Sequence, residues 1–219
     1  MGAYEGLTEF FGANLCNIAE ELGYSDDNIC VLSGDIVTLQ RLFPDTYSAI
    51  SSCRYNKDGR TPIEYAKDVV ASWLFEDYLV EAFSRLGRSL ELTGGDRERV
   101  LLHNSKVSSA SDCAYISNGR RLKVEIMNSY TPFWRTRKCL HLRDNKYKQL
   151  CADRGVLLCV DMNNASFAIV DFTKNAPPAT RIPNYWLYGG KTAHEVSLAH
   201  VEFYEFEIPA IIACLDKLV

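Results

Sequence analysis

Ser111-Asp112-Cys113-Ala114-Tyr115-Ile116-Ser117-Asn118-Gly119-Arg120-Arg121-Leu122-Lys123-Val124-Glu125-Ile126-Met127 has the signature of a β-hairpin. Asn-Gly supplies the two left-handed residues that a tight hairpin turn requires, and the runs on either side carry β-branched and aromatic residues. With Asn118 and Gly119 as the loop, Ser117 pairs with Arg120, and the same register carried outward sets Asp112 opposite Glu125 on one face. β-carbons so paired lie roughly 4.5–5.5 Å apart. Like charges at that separation repel, so the pair calls for a cation or a shared proton. A hard divalent cation such as Mg²⁺ takes carboxylate oxygens and keeps positions for water and a phosphate. The plainer alternative is a solvated hairpin whose acids lean apart, with Lys123, on the face of Glu125, as counter-charge.

Upstream, Thr61-Pro62-Ile63-Glu64 joins an N-cap, a proline at the first helical position and a glutamate three residues after the cap. The spacing predicts a helix to about Leu86, ended by Gly87. Its apolar face carries Trp73, Val80 and Phe83, and Glu76 falls on or beside that stripe, where an acid needs a partner. Strands are expected at 89–92 and near 99–102, around a Gly94-Gly95 turn. The first sixty residues read as helical, through Leu7, Phe10, Phe11, Leu15, Ile18 and Leu22 with a stop near Gly23, then Ile36, Leu39, Leu42 and Phe43. No basic recognition helix follows, so this layer reads as scaffold or dimer contact.

Downstream, residues 135–152 read as one mostly basic helix. Arg135, Arg137, Lys138, Arg143, Lys146 and Lys148 stand there against the single acid Asp144, a local patch able to contact DNA phosphates. Gly155 leads into an apolar strand at 156–161, Asn163-Asn164 turns the chain into a strand at 167–172, and a proline-rich loop at 176–183 precedes an apolar, helical 208–219.

Composition limits the function classes. The chain has 219 residues, 47% of them hydrophobic, and a net charge of −4, which argues against coating nucleic acid by bulk charge. No stretch approaches the roughly 20 apolar residues of a membrane span, and no signal-like leader stands out, so a soluble, cytoplasmic protein is expected. The eight cysteines are scattered singly, as reduced thiols. Gly190-Lys191-Thr192 lacks the earlier glycine of a P-loop, so no nucleotide cofactor is expected. His194, Glu195 and His200 do not form a HExxH motif, and Cys139-x-His141 lacks two further ligands at zinc spacing.

The order of helix with an acid, strand, strand bearing Asp112, strand bearing Glu125, helix and strand resembles the PD-(D/E)xK nuclease core over residues 61–172. The resemblance implies an α/β domain with a mixed central sheet flanked by helices. On it, 1–219 is a single nuclease domain, with 1–60 a helical layer, 61–172 the catalytic core and 173–219 an extension. It further implies Mg²⁺-dependent hydrolysis of double-stranded DNA, with Asp112 and Glu125 as metal ligands and Glu76 as the acid of the first core helix. Type II restriction enzymes are the nearest likeness, and these act on palindromes as symmetric homodimers. Met127 stands where the family has its lysine. The segment from Val124 to Tyr130 resembles the Glu-Val-Gln region of restriction enzymes in which glutamine replaces that lysine. Lys123, one pleat from Glu125, is the preferred substitute, with Lys146 and Lys148 reaching in from the following helix as the others. A junction or repair nuclease, and an inactive DNA-binding module, are the alternatives.

Overall fold

The computed structural model describes residues 2–52, 59–95, 97–101 and 110–219. The chain forms two compact units, Met1–Tyr78 with Gly95–Ser108, and Leu79–Gly94 with Ser109–Val219. Among the described residues, no helix is long and apolar enough to cross a membrane.

The first unit is helical: α1 (Ala3–Phe11), α2 (Leu15–Glu21), α3 (Asp26–Ser33), α4 (Ile36–Leu42), α5 (Pro44–Ser52) and α6 (Pro62–Arg85) as far as Tyr78. Short polar side chains cap two of these helices. Asn14 accepts from the Cys16 N–H at 2.9 Å and Asp35 from the Thr38 N–H at 3.0 Å, each satisfying an amide the helix leaves unpaired. The expected box at α6 forms, since the Thr61 N–H donates to Glu64 Oε2 at 2.6 Å. The first apolar pattern is two helices, not one, because Gly12 in the left-handed conformation ends α1 and Asn14 restarts the chain. Arg99 gathers the unit's acids: its guanidinium lies 2.8 Å from Glu76 and 2.6 Å from Asp77, which also accepts from the Tyr24 hydroxyl. The strand expected at 99–102 does not form at Arg99, Val100 or Leu101, and Leu102 lies outside the described residues. Arg99 instead adopts φ 54° and receives the Asn28 side-chain amide on its carbonyl.

The second unit is α/β. A mixed six-stranded sheet comprises β1 (Ser89–Leu92), β2 (Cys113–Ser117), β3 (Arg120–Ser129), β5 (Val156–Asp161), β6 (Ser166–Asp171) and β9 (Tyr204–Glu205), in the order β1-β2-β3-β5-β6-β9. Among the described residues only β3 and β5 pair in parallel, from Val124↔Val156 to Ser129↔Asp161. The hairpin has the expected register, Ser117↔Arg120 through Cys113↔Val124, around left-handed Asn118 and Gly119.

Residues 135–152 are not one helix. They form the end of α7 (Phe133–Arg137), then β4 (Cys139–Arg143), then α8 (Asp144–Asp153). Alternate burial decides this, because Leu140 and Leu142 point into the core on one face of β4, a period of two that a charge count obscures. β4 heads a second sheet, ordered β4-β8-β7, with β7 (Ala179–Tyr185) and β8 (Lys191–Ser197). The proline-rich loop expected at 176–183 is largely β7, in which Pro183 falls at a register irregularity between Ile182 and Tyr185, where no ladder donor is needed. α9 (Ile208–Asp216) closes the chain.

Helix α8 covers one face of the six-stranded sheet through Leu150, which packs with Leu157 and Cys159 of β5 and with Met127 of β3. On the opposite face Tyr115 meets the Phe83 ring at 5.9 Å and donates from its hydroxyl to Asp216 at 2.7 Å. Glu125 and Met127 share a strand face by their spacing of two, so the fold places both beneath α8.

Candidate active site

Asp112 immediately precedes β2, and the hairpin register carries it to the position opposite Glu125 on β3. Its backbone is fixed from β1's end, where the Thr93 and Gly94 N–H groups both donate to its carbonyl, at 2.8 and 3.2 Å. Its side chain is fixed from β3, with the Ile126 N–H donating to Oδ2 at 2.8 Å. Glu125 is buried, at 8% exposure. The two acids are thus held side by side by main-chain donors, which need no side-chain ordering to stay in place.

The ammonium beside them is Lys146. Its Nζ lies 2.6 Å from Glu125 Oε1 and 3.9 Å from Asp112 Oδ1, and donates to the Ala110 carbonyl at 3.2 Å. The placement follows from α8: Lys146 sits one turn before Leu150, and residues four apart share a helix face, so anchoring Leu150 in the core aims Lys146 at the top of β3. Lys123, the preferred substitute for the missing lysine, reaches the other end of the same helix. Its Nζ lies 3.0 Å from Asp153 Oδ1. Met127, where the resemblance implies a lysine, is a partly buried apolar side chain packed against the core under α8.

Among the described residues Lys146 is the ammonium both carboxylates meet, and their mutual repulsion shows in Glu125. Burial first, and the charge of Asp112 second, raise the Glu125 carboxyl from its ordinary value of 4.5 to about 7, against the opposing pull of Lys146. The donor set suits a hard cation: the anionic oxygens are carboxylates, fixed before any ligand arrives, and they are too few to close a coordination shell. Asp112 and Glu125 are thus the residues that could hold a divalent cation.

The remaining expected residues are placed elsewhere or otherwise engaged. Glu76 belongs to the first unit, where Arg99 grips it. The six cations of the expected basic helix are divided among α7, the turn after it, β4 and α8. Arg135, itself exposed, is engaged by Asp161 at 3.2 Å and the Ser166 hydroxyl at 2.6 Å, with its guanidinium 4.2 Å from the Phe203 ring centre. Arg143 lies over the Tyr188 ring and Lys148 pairs with Asp144 at 2.7 Å. Arg137 and Lys138 are exposed at the turn between α7 and β4. Sequence pattern named Lys146 only as one of three lysines. What singles it out is the packing of α8 on β3, and no local motif encodes that. No protein-family model matches the sequence, and a search of curated proteins finds no significant match.

Proposed function

We propose that this protein is a Mg²⁺-dependent DNA endonuclease with a PD-(D/E)xK-type site, in which Asp112 and Glu125 are the acidic pair and Lys146, supplied from α8, replaces the lysine absent at Met127. One observation carries the reading: the Lys146 ammonium stands 2.6 Å from Glu125 and 3.9 Å from Asp112. The order of β1, β2, β3, α8 and β5, with β3 and β5 parallel, agrees with the core the resemblance implies.

Asp112 and Glu125 would hold Mg²⁺, which would supply Lewis acidity toward a phosphate oxygen and the attacking water. The protein's own groups do the rest. Asp112 and Glu125 hold the charge that positions the cation, and main-chain donors keep them from rotating away. Lys146 brings an N–H donor and a positive charge beside them, where negative charge builds on the phosphoryl oxygens as water adds and the bridging P–O bond breaks. Double-stranded DNA is the proposed substrate and a symmetric homodimer the proposed assembly, as for a type II restriction enzyme.

Digestion of supercoiled plasmid with Mg²⁺ tests the reading. Wild type is expected to give discrete fragments, and Asp112→Asn, Glu125→Gln and Lys146→Met each to lose roughly 10²–10⁴-fold in rate with DNA binding retained. Lys123→Met is expected to cut within a few-fold of wild type. A smear points to a nonspecific or repair nuclease, and uncut plasmid that still shifts on a gel points to a binding module. Normal cutting by Lys146→Met removes Lys146 from the site.

A further inference from the structure

We propose that Cys139, His141 and Glu195, on the three-stranded sheet, form a site for a borderline-soft divalent cation of the zinc class, separate from the Asp112–Glu125 pair and independent of the nuclease reading. Strands β4 and β8 pair antiparallel with His141 directly opposite Glu195, and Cys139, two residues before His141, shares its face. One donor atom from each of the three side chains lies within 4.8 Å of the other two. Among the described residues this is the one group of three or more Cys, His, Asp or Glu side chains that converges so closely. The two ligands that were too few by sequence spacing gain a third only through the pairing of β4 with β8.

Ligand chemistry separates this site from the acidic pair. Two carboxylates suit Mg²⁺, whereas thiolate, imidazole and carboxylate together suit Zn²⁺, which a three-ligand protein site binds with its fourth position open. The cluster borders a cleft of about 420 Å³ lined by Cys139, Glu195, Arg137, Lys138 and Thr180, from which water or an anion can complete the shell.

The imidazole is already oriented as a ligand. His141 Nε2 lies 3.2 Å from Glu195 Oε2, and Nδ1 lies 2.9 Å from the Tyr185 hydroxyl. A histidine that binds metal through one nitrogen directs the other to an outer partner that fixes its tautomer, and Tyr185 stands in that place. The Tyr188 hydroxyl donates to the His141 carbonyl at 2.7 Å, pinning the same residue from its backbone. Without a cation the trio is a hydrogen-bonded chain in which imidazole donates to carboxylate. On binding, the thiol proton leaves to solvent and the imidazole proton moves from Nε2 to Nδ1, where it donates to Tyr185.

The test uses the full-length chain carrying Asp112→Asn and Glu125→Gln, so that the acidic pair contributes no binding. Metal-stripped protein is dialysed against Zn²⁺ and, in parallel, titrated with Co²⁺ as a spectroscopic probe. A single equivalent of either is expected, with Co²⁺ giving a thiolate-to-metal charge-transfer band in the near ultraviolet. Cys139→Ser is expected to abolish the band. Tyr185→Phe, which keeps all three ligands, is expected to retain it while weakening affinity about 10- to 100-fold. Circular dichroism establishes that each variant is folded. Absence of stoichiometric binding in the parent overturns the site whatever the variants do, and so does a band that survives in Cys139→Ser. Plasmid cleavage enters neither arm, so failure here leaves the nuclease reading intact.

Discussion

Glu125 is the residue at which burial, repulsion and pairing meet, and its ionisation therefore tests the cluster without any substrate. The unfolded chain releases this proton near 4.5, and the folded chain holds it until about 7. Between those values the native state binds more protons than the unfolded one, so stability falls as pH rises across that window and levels off above it. In chelator, wild type is expected to lose stability relative to Glu125→Gln from about pH 4.5 to about pH 7 in urea titrations. Parallel profiles for the two proteins would contradict the raised carboxyl. Adding Mg²⁺ is expected to stabilise wild type most at the alkaline end, where no proton competes for the carboxylate. At this scale the sequence was informative wherever the reason is local. Asn118-Gly119 fixes the turn, the turn fixes the register, and the register brings Asp112 and Glu125 together. Lys146 lies beyond that reach, since it depends on how α8 lies across β3. Lys123 is the nearer lysine in sequence, but Asp153 engages it.

Between α8 and β5 the chain passes so near β3 that a side chain would not fit. A β-carbon on Gly155 would stand 2.8 Å from the Lys123 carbonyl oxygen, a backbone atom held in the sheet. The glycine N–H also closes α8 by donating to the Leu150 carbonyl at 3.2 Å. Gly155→Ala therefore forces α8 and the start of β5 away from β3, at a cost of about 1–3 kcal/mol by analogy with overpacked cores. A urea midpoint unchanged from wild type would show that the approach is looser than drawn. Because α8 carries Lys146, the same variant is expected to weaken the Lys146–Glu125 contact, and its Mg²⁺-dependent cleavage to fall further than its stability alone explains. Elements with strong local punctuation were legible in the sequence. α6 has its capping box and Gly87, and β5 its unbroken apolar run. β4 was not, because five residues with alternating burial lie between basic neighbours, and their partner strand β8 comes some fifty residues later. Non-local pairing of this kind leaves no periodic trace long enough to outweigh a charge pattern.

At the scale of the molecule, a chain of net charge −4 binds DNA only if its cations are presented locally, and the fold determines which ones remain available. A single basic helix would have offered six. Folding redistributes them: Arg135 pairs with the buried Asp161, Lys146 with the acidic pair and Lys148 with Asp144, and Arg143 lies over Tyr188. Arg137 and Lys138 stay exposed together at the α7–β4 turn. They belong to the same patch in sequence and to different physical roles in the structure, so substitution should separate them. Arg137→Ala and Lys138→Ala are expected to leave the melting temperature unchanged and to weaken DNA binding. Each should also reduce the slope of log affinity against log salt by about 0.9. Arg135→Ala is expected to act on the fold instead, because it removes a charged donor from the buried Asp161, with a loss of about 1 kcal/mol in stability, since the guanidinium is partly screened by solvent and Asn164 still donates to the same oxygen. Fluorescence anisotropy on a short duplex at several salt concentrations, read beside thermal melts, distinguishes the two classes. If Arg135→Ala lowers the salt slope while the melt is unmoved, its guanidinium reaches phosphate rather than Asp161. If Arg137→Ala and Lys138→Ala leave the slope unchanged, DNA does not cross the α7–β4 turn.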